Sequence, residues 1–506
     1  MLVFDNLNVS FKMLLISYKP IKVSQIRGVD VRVALLNPPT YEDFDGAAGS
    51  RYQARREVTS FWYPTWLCYP AGLIPNSRVI DAPAERLNLQ QTLPLLKGFD
   101  FVAMYTTTAT AALDIKTAEA IKAAYKGVKI AFVGPHSSVL PEETLRAAEA
   151  IDFVCRREFD YSLKEYAEGR PLSEIDGVSH RSNGNIIHNK DREFIKDLDA
   201  LPFVVEIYKR DLNFRNYTIP YLRDPYVSIY TGRGCPTPCI YCLWPQTFTG
   251  RVYRVRSVDN VIEEVKLVIK YFPEAKELFF DDDTFTANKA RAREIAKKLK
   301  PLGITWSASS RANIDYDTLK VLKDSGLRLF LVGYESGNGD ILKTMKKGIT
   351  LGQAEEFAKN CKKLKIMTHG AFIMGLPGET PETVEESIRF ACKVDPDTIQ
   401  VSLASPYPGT EFYDMCRDKG FLVNDNMVSD WGYQKCAVQY PGMSNQEIYD
   451  AVAKFYRRFY FRPKYMAKAA WRMLRDKEER QRLSREGKEF LQFLYRRKES
   501  TKANAC

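Results

Sequence analysis

Three cysteines, Cys235, Cys239 and Cys242, form a CxxxCxxC motif, the most informative group of reactive side chains in the sequence. Iron–sulfur clusters are held by cysteine thiolates, usually four of them. A loop that supplies only three leaves one iron with an open coordination position, which predicts a [4Fe-4S] cluster that binds a ligand directly. The amine and carboxylate of S-adenosylmethionine (SAM) can chelate such an iron. An electron from the cluster would then release a 5′-deoxyadenosyl radical, which abstracts hydrogen from an unreactive carbon.

A zinc site is the alternative for the same thiolates, because zinc also binds cysteine. Structural zinc sites take a fourth Cys or His at paired spacing, and no such residue stands close to the motif in the sequence. The remaining cysteines show no paired spacing, so we expect them to be ordinary buried residues.

The cysteine motif follows a strand-like segment, and the sequence beyond it repeats a strand–helix pattern at intervals of about 30 residues. The six strand segments are YVSIYTGRG, KELFFDDDTFT, ITWSASSRANID, LRLFLVGYESG, MTHGAFIMGLPG and TIQVSLASPYPG. This repeat predicts a partial parallel (β/α)6 barrel over residues 221–445. Its functional residues are expected at the C-terminal ends of the strands.

Residues 31–170 also alternate continuous apolar strands with helical segments, which predicts a doubly wound, flavodoxin-like α/β domain with a parallel sheet. Ligands of such folds bind at the carboxyl edge of the sheet. The candidate residues at that edge are Thr106, Thr107, Gly134 and His136. His136 would either face a ligand there or cap the helix that begins near Pro141.

The rest of the chain divides into an N-terminal extension (1–30), a connector (171–220) and a basic helical region (446–506). The net charge of +11 lies in the last of these, because residues 454–502 contain 17 Lys and Arg against 6 Asp and Glu. Aromatic residues alternate with the basic ones, as in a helix on an anionic membrane surface. A helical cap on the barrel is the alternative. No RNA-binding motif accompanies the charge, so no nucleic-acid partner is expected.

Cysteine content and hydropathy indicate the compartment. Ten cysteines in 506 residues are too few for a disulfide scaffold, and the first residues lack the pattern of a signal peptide. No run approaches the about 18 apolar residues of a spanning helix. The sequence therefore predicts a cytoplasmic protein, with any membrane contact peripheral and at the inner face.

The spacing of the cysteines, their place after a barrel strand and the aromatic Tyr241 before the third cysteine resemble the radical SAM superfamily. The resemblance implies that Tyr241 contacts the bound cofactors. It also implies that Glu335 and Asp283 are catalytic residues, with Glu335 at a polar edge of SAM or of the substrate.

The same resemblance assigns a SAM-binding shell to the successive strand ends. Asp282, like the aspartate after it, would meet the ribose or the amino group, and Arg311 would meet the carboxylate. The residues that would face the adenine are Met374, Gly375 and Leu376. A solvated turn at the aspartates and a structural ion pair at Arg311 are the alternatives.

The N-terminal domain resembles the cobalamin-binding domains of the cobalamin-dependent radical SAM subfamily. Many such domains carry Asp-x-His-x-x-Gly, whose histidine binds cobalt, and none of the four histidines of this chain fits that pattern. Because the lower ligand is commonly absent in the subfamily, two possibilities stay open. Either cobalamin binds without a histidine ligand, or the domain only shapes the substrate site.

Segments such as AAGSRYQARREVTSFWYPTWL, VIDAPAERL and FYRRFYFRPK resemble the radical SAM proteins of hopanoid biosynthesis over roughly residues 31–498. This implies conversion of glucosaminyl bacteriohopanetetrol into a cyclitol ether by contraction of the sugar ring. The implied partners are the glycosylated hopanoid lipid and an electron donor such as flavodoxin or ferredoxin. A cobalamin-dependent radical SAM methyltransferase is the alternative within the enzymes. A zinc-stabilised membrane-peripheral binding protein is the alternative outside them.

Overall fold

The computed structural model describes residues 31–41, 44, 53–424, 427–429 and 431–503. The predicted N-terminal extension, residues 1–30, lies outside the described residues.

The first sheet combines five parallel strands with two antiparallel ones in the order β2-β1-β3-β4-β5-β6-β7. Its strands are β1 (Val33–Asn37), β2 (Ser77–Asp81), β3 (Phe101–Tyr105), β4 (Lys129–Val133), β5 (Phe153–Cys155), β6 (Val178–Ser182) and β7 (Asn185–His188). The parallel part has the order 2-1-3-4-5, which is the flavodoxin-like order. The predicted doubly wound N-terminal domain is confirmed.

The antiparallel strands β6 and β7 fall inside the segment predicted as a connector. They form a hairpin whose two turn residues, Asn183 and Gly184, have φ angles of 50° and 79°. Positive φ at both positions is the requirement of a type I′ turn, which Asn-Gly meets best. The sheet therefore extends past residue 170.

Helices cover both faces of this sheet, and apolar side chains fill the two layers between sheet and helices. The helices are α1 (Thr65–Leu73), α2 (Leu89–Thr92), α3 (Ala111–Ala124), α4 (Pro135–Val139), α5 (Pro141–Ala147), α6 (Asp160–Ala167) and α7 (Val204–Asp211).

The six predicted barrel strands are all present and parallel, so the partial barrel is confirmed. In spatial order they are β8 (Tyr226–Ile229), β11 (Glu277–Phe280), β12 (Trp306–Ser310), β13 (Leu327–Glu335), β14 (Met367–Met374) and β15 (Thr398–Leu403). A short antiparallel pair, β9 (Gly232–Arg233) and β10 (Arg254–Val255), flanks the cysteine motif. The barrel helices are α8 (Leu243–Thr247), α9 (Val258–Tyr271), α10 (Lys289–Leu299), α11 (Tyr316–Asp324), α12 (Gly339–Thr344), α13 (Leu351–Lys363), α14 (Pro381–Val394) and α15 (Glu411–Asp418).

The C-terminal region forms three helices, α16 (Asn445–Tyr460), α17 (Pro463–Arg475) and α18 (Lys477–Ala503). Because the barrel is partial, β15 is an edge strand with unpaired backbone groups. Tyr460 Oη accepts from the Ile399 amide at 2.8 Å, and Tyr456 Oη accepts from the Val401 amide at 2.8 Å. The side chain of Gln434 bonds both backbone groups of Leu403, at 2.8 and 2.9 Å. Side chains thus take the place of a further strand.

Candidate active site

The cysteine motif lies on a loop at the carboxyl end of β8. Cys239 is buried, and Cys235 and Cys242 are half-buried. Gln246 on α8 holds the loop, since its Nε2 donates to the carbonyl oxygens of Ile240 at 2.9 Å and Cys242 at 2.8 Å. Burial is the main cause that raises the pKa of the Cys239 and Cys242 thiols. Gln246 thus holds the part of the loop that carries the second and third cysteines.

Asp283 and Asp282 have different surroundings although they are adjacent. Asp283 Oδ2 accepts from the Gly234 amide at 3.0 Å and from Thr249 Oγ1 at 3.2 Å, so it anchors the start of the cysteine loop. Asp282 is fully buried and bonds the Thr231 amide at 2.6 Å and the Tyr253 hydroxyl at 2.6 Å. The fold thus brings Asp283, rather than Asp282, to the loop.

A buried ion pair lies beside the loop. Lys347 Nζ donates to Glu335 Oε1 at 2.7 Å and to Tyr241 Oη at 3.2 Å. Burial opposes the charge of Lys347, but the Glu335 carboxylate outweighs it and raises the lysine pKa above its usual value. Glu335 has a φ of +65°, and a Cβ at Gly333 would lie 2.2 Å from its Oε1. The backbone conformation at Glu335 and the missing side chain at Gly333 thus leave room for the ion pair.

Arg311, at the carboxyl end of β12, ties the cysteine loop to the segment after α12. Its Nη1 donates to Thr237 Oγ1 at 2.6 Å, and its Nη2 donates to the carbonyls of Lys347 and Gly348 at 2.7 and 2.8 Å. Its Nε is buried and has no hydrogen-bond partner among the residues that the structure describes. The same holds for two buried hydroxyls at neighbouring strand ends, Thr284 Oγ1 and Ser309 Oγ. Such atoms fit a polar ligand at this end of the barrel.

The adenine-facing candidates lie at the end of β14. The side chains of Met374 and Leu376 are fully buried in the hydrophobic core. Gly375 has a φ of +90°, and Tyr440 donates to its carbonyl at 2.7 Å. The Gly375 amide donates to Glu379, and a Cβ at Gly375 would lie 2.8 Å from Ile448 Cγ2, so this strand end is packed against the core.

At the carboxyl edge of the N-terminal sheet, Thr106 and Thr107 turn inward. Thr106 and Thr110 each donate to Asp114 Oδ2 at 2.7 Å. Burial raises the pKa of Asp114 to about 7, although both hydrogen bonds act in the other direction. Thr107 is fully buried, and its hydroxyl lies 3.1 Å from that of Thr110. These threonines build the turn after β3.

His136 lies within α4, so it does not cap the helix at Pro141. Its Nδ1 lies 3.4 Å from Thr108 Oγ1, which joins the ends of β3 and β4. Burial lowers the pKa of His136 to about 4, which keeps the imidazole neutral. Gly134 is required beside it, because φ is +109° and a Cβ would lie 2.6 Å from the Thr106 carbonyl oxygen.

Gln53 completes this edge. Its Oε1 accepts from the Thr108 amide at 3.1 Å, while its buried Nε2 has no hydrogen-bond partner in the described part of the chain. An unpartnered amide beside a neutral imidazole fits the amide-rich rim of a corrin ligand. No periodicity or motif marks Gln53 in the sequence, since the fold alone brings its segment to the end of β3.

The two domains are joined through a buried ionic cluster directly before the cysteine loop. Arg233 bonds Asp160 through two nitrogens at 3.0 Å and Glu158 at 3.2 Å. Its guanidinium also lies over the rings of Trp66 and Tyr69, at 4.6 and 4.4 Å from their centroids. The barrel loop is thus fixed to the N-terminal domain.

The carboxyl edges of the two sheets face each other. Helix α4, which carries His136, packs against α8, which begins one residue after Cys242. Gly409, beyond β15, approaches α4 so closely that a Cβ would lie 2.5 Å from Val139 Cγ1. A ligand on the N-terminal edge would therefore face the cysteine loop.

Comparison with known proteins agrees with this arrangement. Residues 229–391 match the radical SAM superfamily model, and residues 54–167 match the B12-binding domain model. An uncharacterised methyltransferase of Pyrococcus horikoshii is 32% identical over 461 residues, covering 87% of this chain and 94% of the relative. The chain belongs to the cobalamin-dependent radical SAM family. An anaerobic magnesium-protoporphyrin IX monomethyl ester cyclase of Cereibacter sphaeroides is 24% identical over 430 residues, 80% of this chain and 68% of the cyclase.

Solved structures of cobalamin-dependent radical SAM enzymes share the fold. OxsB with aqua-cobalamin and SAM has a TM-score of 0.68 at 15% identity, covering 92% of this chain and 72% of OxsB. TsrM of Kitasatospora setae, with cobalamin and a [4Fe-4S] cluster, has a TM-score of 0.63 at 16% identity, covering 86% of this chain and 90% of TsrM. The hopanoid-specific assignment receives no support from these relatives.

Family membership implies three cofactors, namely a [4Fe-4S] cluster, SAM and cobalamin. The chemistry of the donor set fits the cluster, because Cys235, Cys239 and Cys242 would each bind a different iron. In the part of the chain that the structure describes, no three His, Cys, Asp or Glu side chains are arranged for a single metal ion. The roles of the individual SAM-binding and catalytic candidates stay predictions.

Lys347 is the site residue that the sequence did not reveal. It stands in a Lys-rich segment that resembles a solvated surface, yet its side chain is 10% exposed and bonds Glu335 and Tyr241. A signal existed, since a glutamate at the end of a barrel strand requires a partner when it is buried. Nothing in the spacing identified which basic residue it was.

Proposed function

We propose that this protein is a cobalamin-dependent radical SAM methyltransferase. The observation that carries the proposal is the contact between α4 and α8, which sets the cobalamin-binding edge opposite the cysteine loop. The P. horikoshii relative, named a methyltransferase and similar over nearly its whole length, supports it. When bound, the cluster and SAM supply one-electron chemistry and cobalamin carries a methyl group.

The chain's own residues would hold and orient these groups. Gln246, Asp283 and Arg311 fix the cysteine loop from three sides, so the thiolates are preorganised. The Lys347–Glu335 pair holds a positive charge beside Tyr241, next to the second and third cysteines. His136 stays neutral near pH 7, so it would present an uncharged imidazole toward the facing loop.

The experiment compares a deletion strain with its parent after feeding with methyl-deuterated methionine. We expect at least one deuteriomethylated metabolite to disappear on deletion and to return with the wild-type gene. Complementation with Cys239→Ala should fail, and Cys392→Ala, a half-buried cysteine away from the loop, should succeed. Identical deuterated metabolites in the deletion strain and its parent would contradict the proposal.

The same strain separates the hopanoid hypothesis from methyl transfer. Sugar ring contraction requires that glucosaminyl bacteriohopanetetrol accumulates when the gene is absent, with no change in deuteriomethylated products. Methyl transfer gives the opposite result.

The electron donor, flavodoxin or ferredoxin, also stays a prediction. Reduction of the cluster by each purified donor would test it.

We also propose that α17 binds the surface of an anionic membrane. No helix in the described part of the chain is long and apolar enough to cross a membrane. The outer side of α17 nevertheless exposes Met466, Trp471 and Leu474, by 53%, 54% and 81%. These residues recur at helical spacing, and the surrounding C-terminal segment carries most of the excess positive charge. An apolar stripe with a basic border is the pattern of an interfacial helix.

Vesicle sedimentation tests this proposal. Wild-type protein should sediment with vesicles of phosphatidylglycerol and phosphatidylcholine, and much less with phosphatidylcholine alone. The double variant Trp471→Glu/Leu474→Glu should stay in solution, whereas Gln492→Glu, an exposed residue on α18, should sediment like wild type. Self-association of the wild type that the double variant abolishes, without vesicle binding, would assign the stripe to a second copy instead.

A further inference from the structure

A cavity of about 300 Å³ lies at the end of the barrel opposite the cysteine loop. We call it the basal cavity. On the barrel it is lined by His369 near the start of β14 and Thr398 at the start of β15. Met374, at the other edge, lies five positions after His369 along β14, which is about 16 Å at the rise of a strand. The basal cavity is therefore separate from the candidate active site.

The C-terminal helices cover the basal cavity with apolar side chains. Tyr460, Tyr465 and Phe490 contribute rings, and Ala469 and Met473 come from the inner side of α17. Helix α17 has no buried residue of its own, so it acts as a cover over the cavity rather than as part of the core. A concave, mostly apolar space with a few polar groups is the usual form of a small-molecule site.

His369 is a buried polar residue of this cavity. It is 4% exposed, its Nδ1 lies 2.7 Å from Thr398 Oγ1, and its ring stacks on Tyr221 at a centroid distance of 4.1 Å. Its Nε2 makes no hydrogen bond of normal geometry with the described residues, although the Gln400 side chain is close enough to act on its pKa. Burial, with the positive charge of Arg56 as a second cause, holds the pKa of His369 well below its usual value. A neutral imidazole nitrogen here can bond an oxygen of a ligand.

The charged groups at the cavity are equal in number, two cations and two carboxylates. Arg56 and Glu57 both line it, and Glu57 accepts a hydrogen bond from Tyr456. Glu486 is bonded by Arg482 through both carboxylate oxygens, at 2.9 and 3.1 Å. A cavity without net charge offers nothing to compensate a buried ionic head group. The ligand class it favours is uncharged.

The cavity also continues outward. Phe461 and Leu491 line both the basal cavity and a surface groove that adds Leu494, Tyr495 and Arg457. Phe461 and Leu491 are 51% and 55% exposed, so the entrance is mostly apolar, with Arg457 at the groove. The space is therefore long, with its hydrogen-bonding atom at the inner end.

From these contacts we infer that the basal cavity binds a neutral long-chain alcohol or a similar uncharged molecule with one terminal oxygen. The oxygen meets His369 Nε2, and the chain runs outward between α16, α17 and α18 to Phe461 and Leu491. The inference is independent of the proposed methyl transfer, because the ligand lies at the far end of the barrel from the cysteines.

Binding of 1-dodecanol, kept below its aqueous solubility, and of dodecanoate, kept below its critical micelle concentration, tests the inference by calorimetric titration of the full-length protein. We expect dodecanol to bind one per chain and at least tenfold more tightly than dodecanoate. Ala469→Trp fills the cavity and should weaken dodecanol binding at least tenfold. Ala470→Trp, on the exposed side of the same helix, should bind like wild type.

His369→Phe keeps the ring on Tyr221 and removes Nε2, so it should weaken dodecanol binding about five- to tenfold, the usual worth of one hydrogen bond. Absence of dodecanol binding to the wild type, equal binding by the Ala469→Trp and Ala470→Trp variants, or equal affinity for dodecanoate would overturn the inference. SAM cleavage, measured as 5′-deoxyadenosine, should be the same in Ala469→Trp and wild type. Failure of the methyltransferase proposal would leave the alcohol titrations unchanged.

Discussion

Glu335 and Lys347 form the buried ion pair nearest to the cysteine loop, with side chains only 9% and 10% exposed. A pair of this kind adds little net stability when intact, because both groups have lost their hydration. Removing one partner is costly, since the other charge stays buried without compensation. The ion pair with Lys347 therefore helps to hold Glu335 in its positive-φ backbone conformation.

We expect Lys347→Met to lower the free energy of unfolding by about 3–5 kcal/mol, because the Glu335 carboxylate would remain buried without its cation, with the Tyr241 hydroxyl left as a hydrogen-bond donor. Lys346→Met is the matched control. Lys346 pairs with Glu411, and both side chains are about half exposed, so the loss should not exceed about 1 kcal/mol. Urea unfolding of both variants measures the difference. Equal losses would show that Glu335 is solvated or has another partner.

Asp114 predicts a pH dependence of stability. Its folded pKa is raised to about 7, chiefly by burial, whereas the unfolded value is about 3.9. Between these values the folded state holds a proton that the unfolded state has lost, so stability falls as pH rises from about 4 to 7 and then levels. The contribution of Asp114 to the free energy of unfolding should fall by about 4 kcal/mol over this range, because each tenfold change in proton affinity is worth about 1.4 kcal/mol.

Asp114→Asn keeps an oxygen that can accept from Thr106 and Thr110 but cannot ionise. The difference in unfolding free energy between wild type and Asp114→Asn should therefore change in favour of the variant as the pH rises from 5 to 8. Chemical unfolding at several pH values gives this difference. Glu379, whose pKa burial raises to about 8, is present in both proteins and is removed by the subtraction. A difference that does not vary with pH would mean that Asp114 is ionised throughout.

At the scale of elements, side chains of α16 bond the backbone of the edge strand β15, where a neighbouring strand would otherwise pair. A strand edge with bare backbone groups invites pairing with another chain. Tyr460 both accepts from the Ile399 amide and donates to its carbonyl, at 2.8 and 3.0 Å, and Tyr456 bonds Val401 one turn earlier. Two hydroxyls on one face of a helix thus cover alternate residues of β15.

Tyr460→Phe should expose this edge. We expect a loss of about 1–3 kcal/mol in unfolding free energy, because the buried Ile399 amide and carbonyl lose their side-chain partner. The Ile399 amide should also exchange with solvent faster, as hydrogen–deuterium exchange would detect. Tyr449→Phe on the same helix is the control, since no hydrogen bond of the Tyr449 hydroxyl holds β15, and its stability should not change. Unchanged exchange at Ile399 in Tyr460→Phe would contradict this account of the edge.

At the scale of the whole molecule, Arg233 joins the two domains. It bonds Asp160 and Glu158 of the N-terminal domain, which are 2% and 1% exposed, and Arg254 adds a second cation at Glu158. The residue directly after Arg233 is Gly234, at the start of the cysteine loop. The position of the loop is therefore set by contacts between domains as well as by the barrel.

Arg233→Met would leave two buried carboxylates with only Arg254 as a close cation. We expect a loss of about 3–5 kcal/mol and a calorimetric melt that separates into two transitions, because the domains lose the buried cation that joins them. Arg146→Met, which removes an exposed pair with Glu142, should melt as wild type does. One cooperative transition at the wild-type temperature for Arg233→Met would refute this view of the interface.

The sequence by itself determined the two α/β units, the six barrel strands and the three cysteines. Each of these depends on local pattern: apolar runs between helical segments, and thiols at a spacing that one loop can bring together. The antiparallel hairpin of residues 178–188 was missed, because two short polar strands carry little pattern of their own.

The tertiary structure alone decided which polar groups meet. Asp282 and Asp283 are neighbours in sequence, yet their side chains have different partners. Asp282 bonds Thr231 and Tyr253, whereas Asp283 bonds the start of the cysteine loop. Gln53 and Lys347 carry no local signal, and contacts over long sequence distances brought them to their sites. A hydrogen bond or ion pair depends on distances of about 3 Å, and only the packed chain sets distances at that scale.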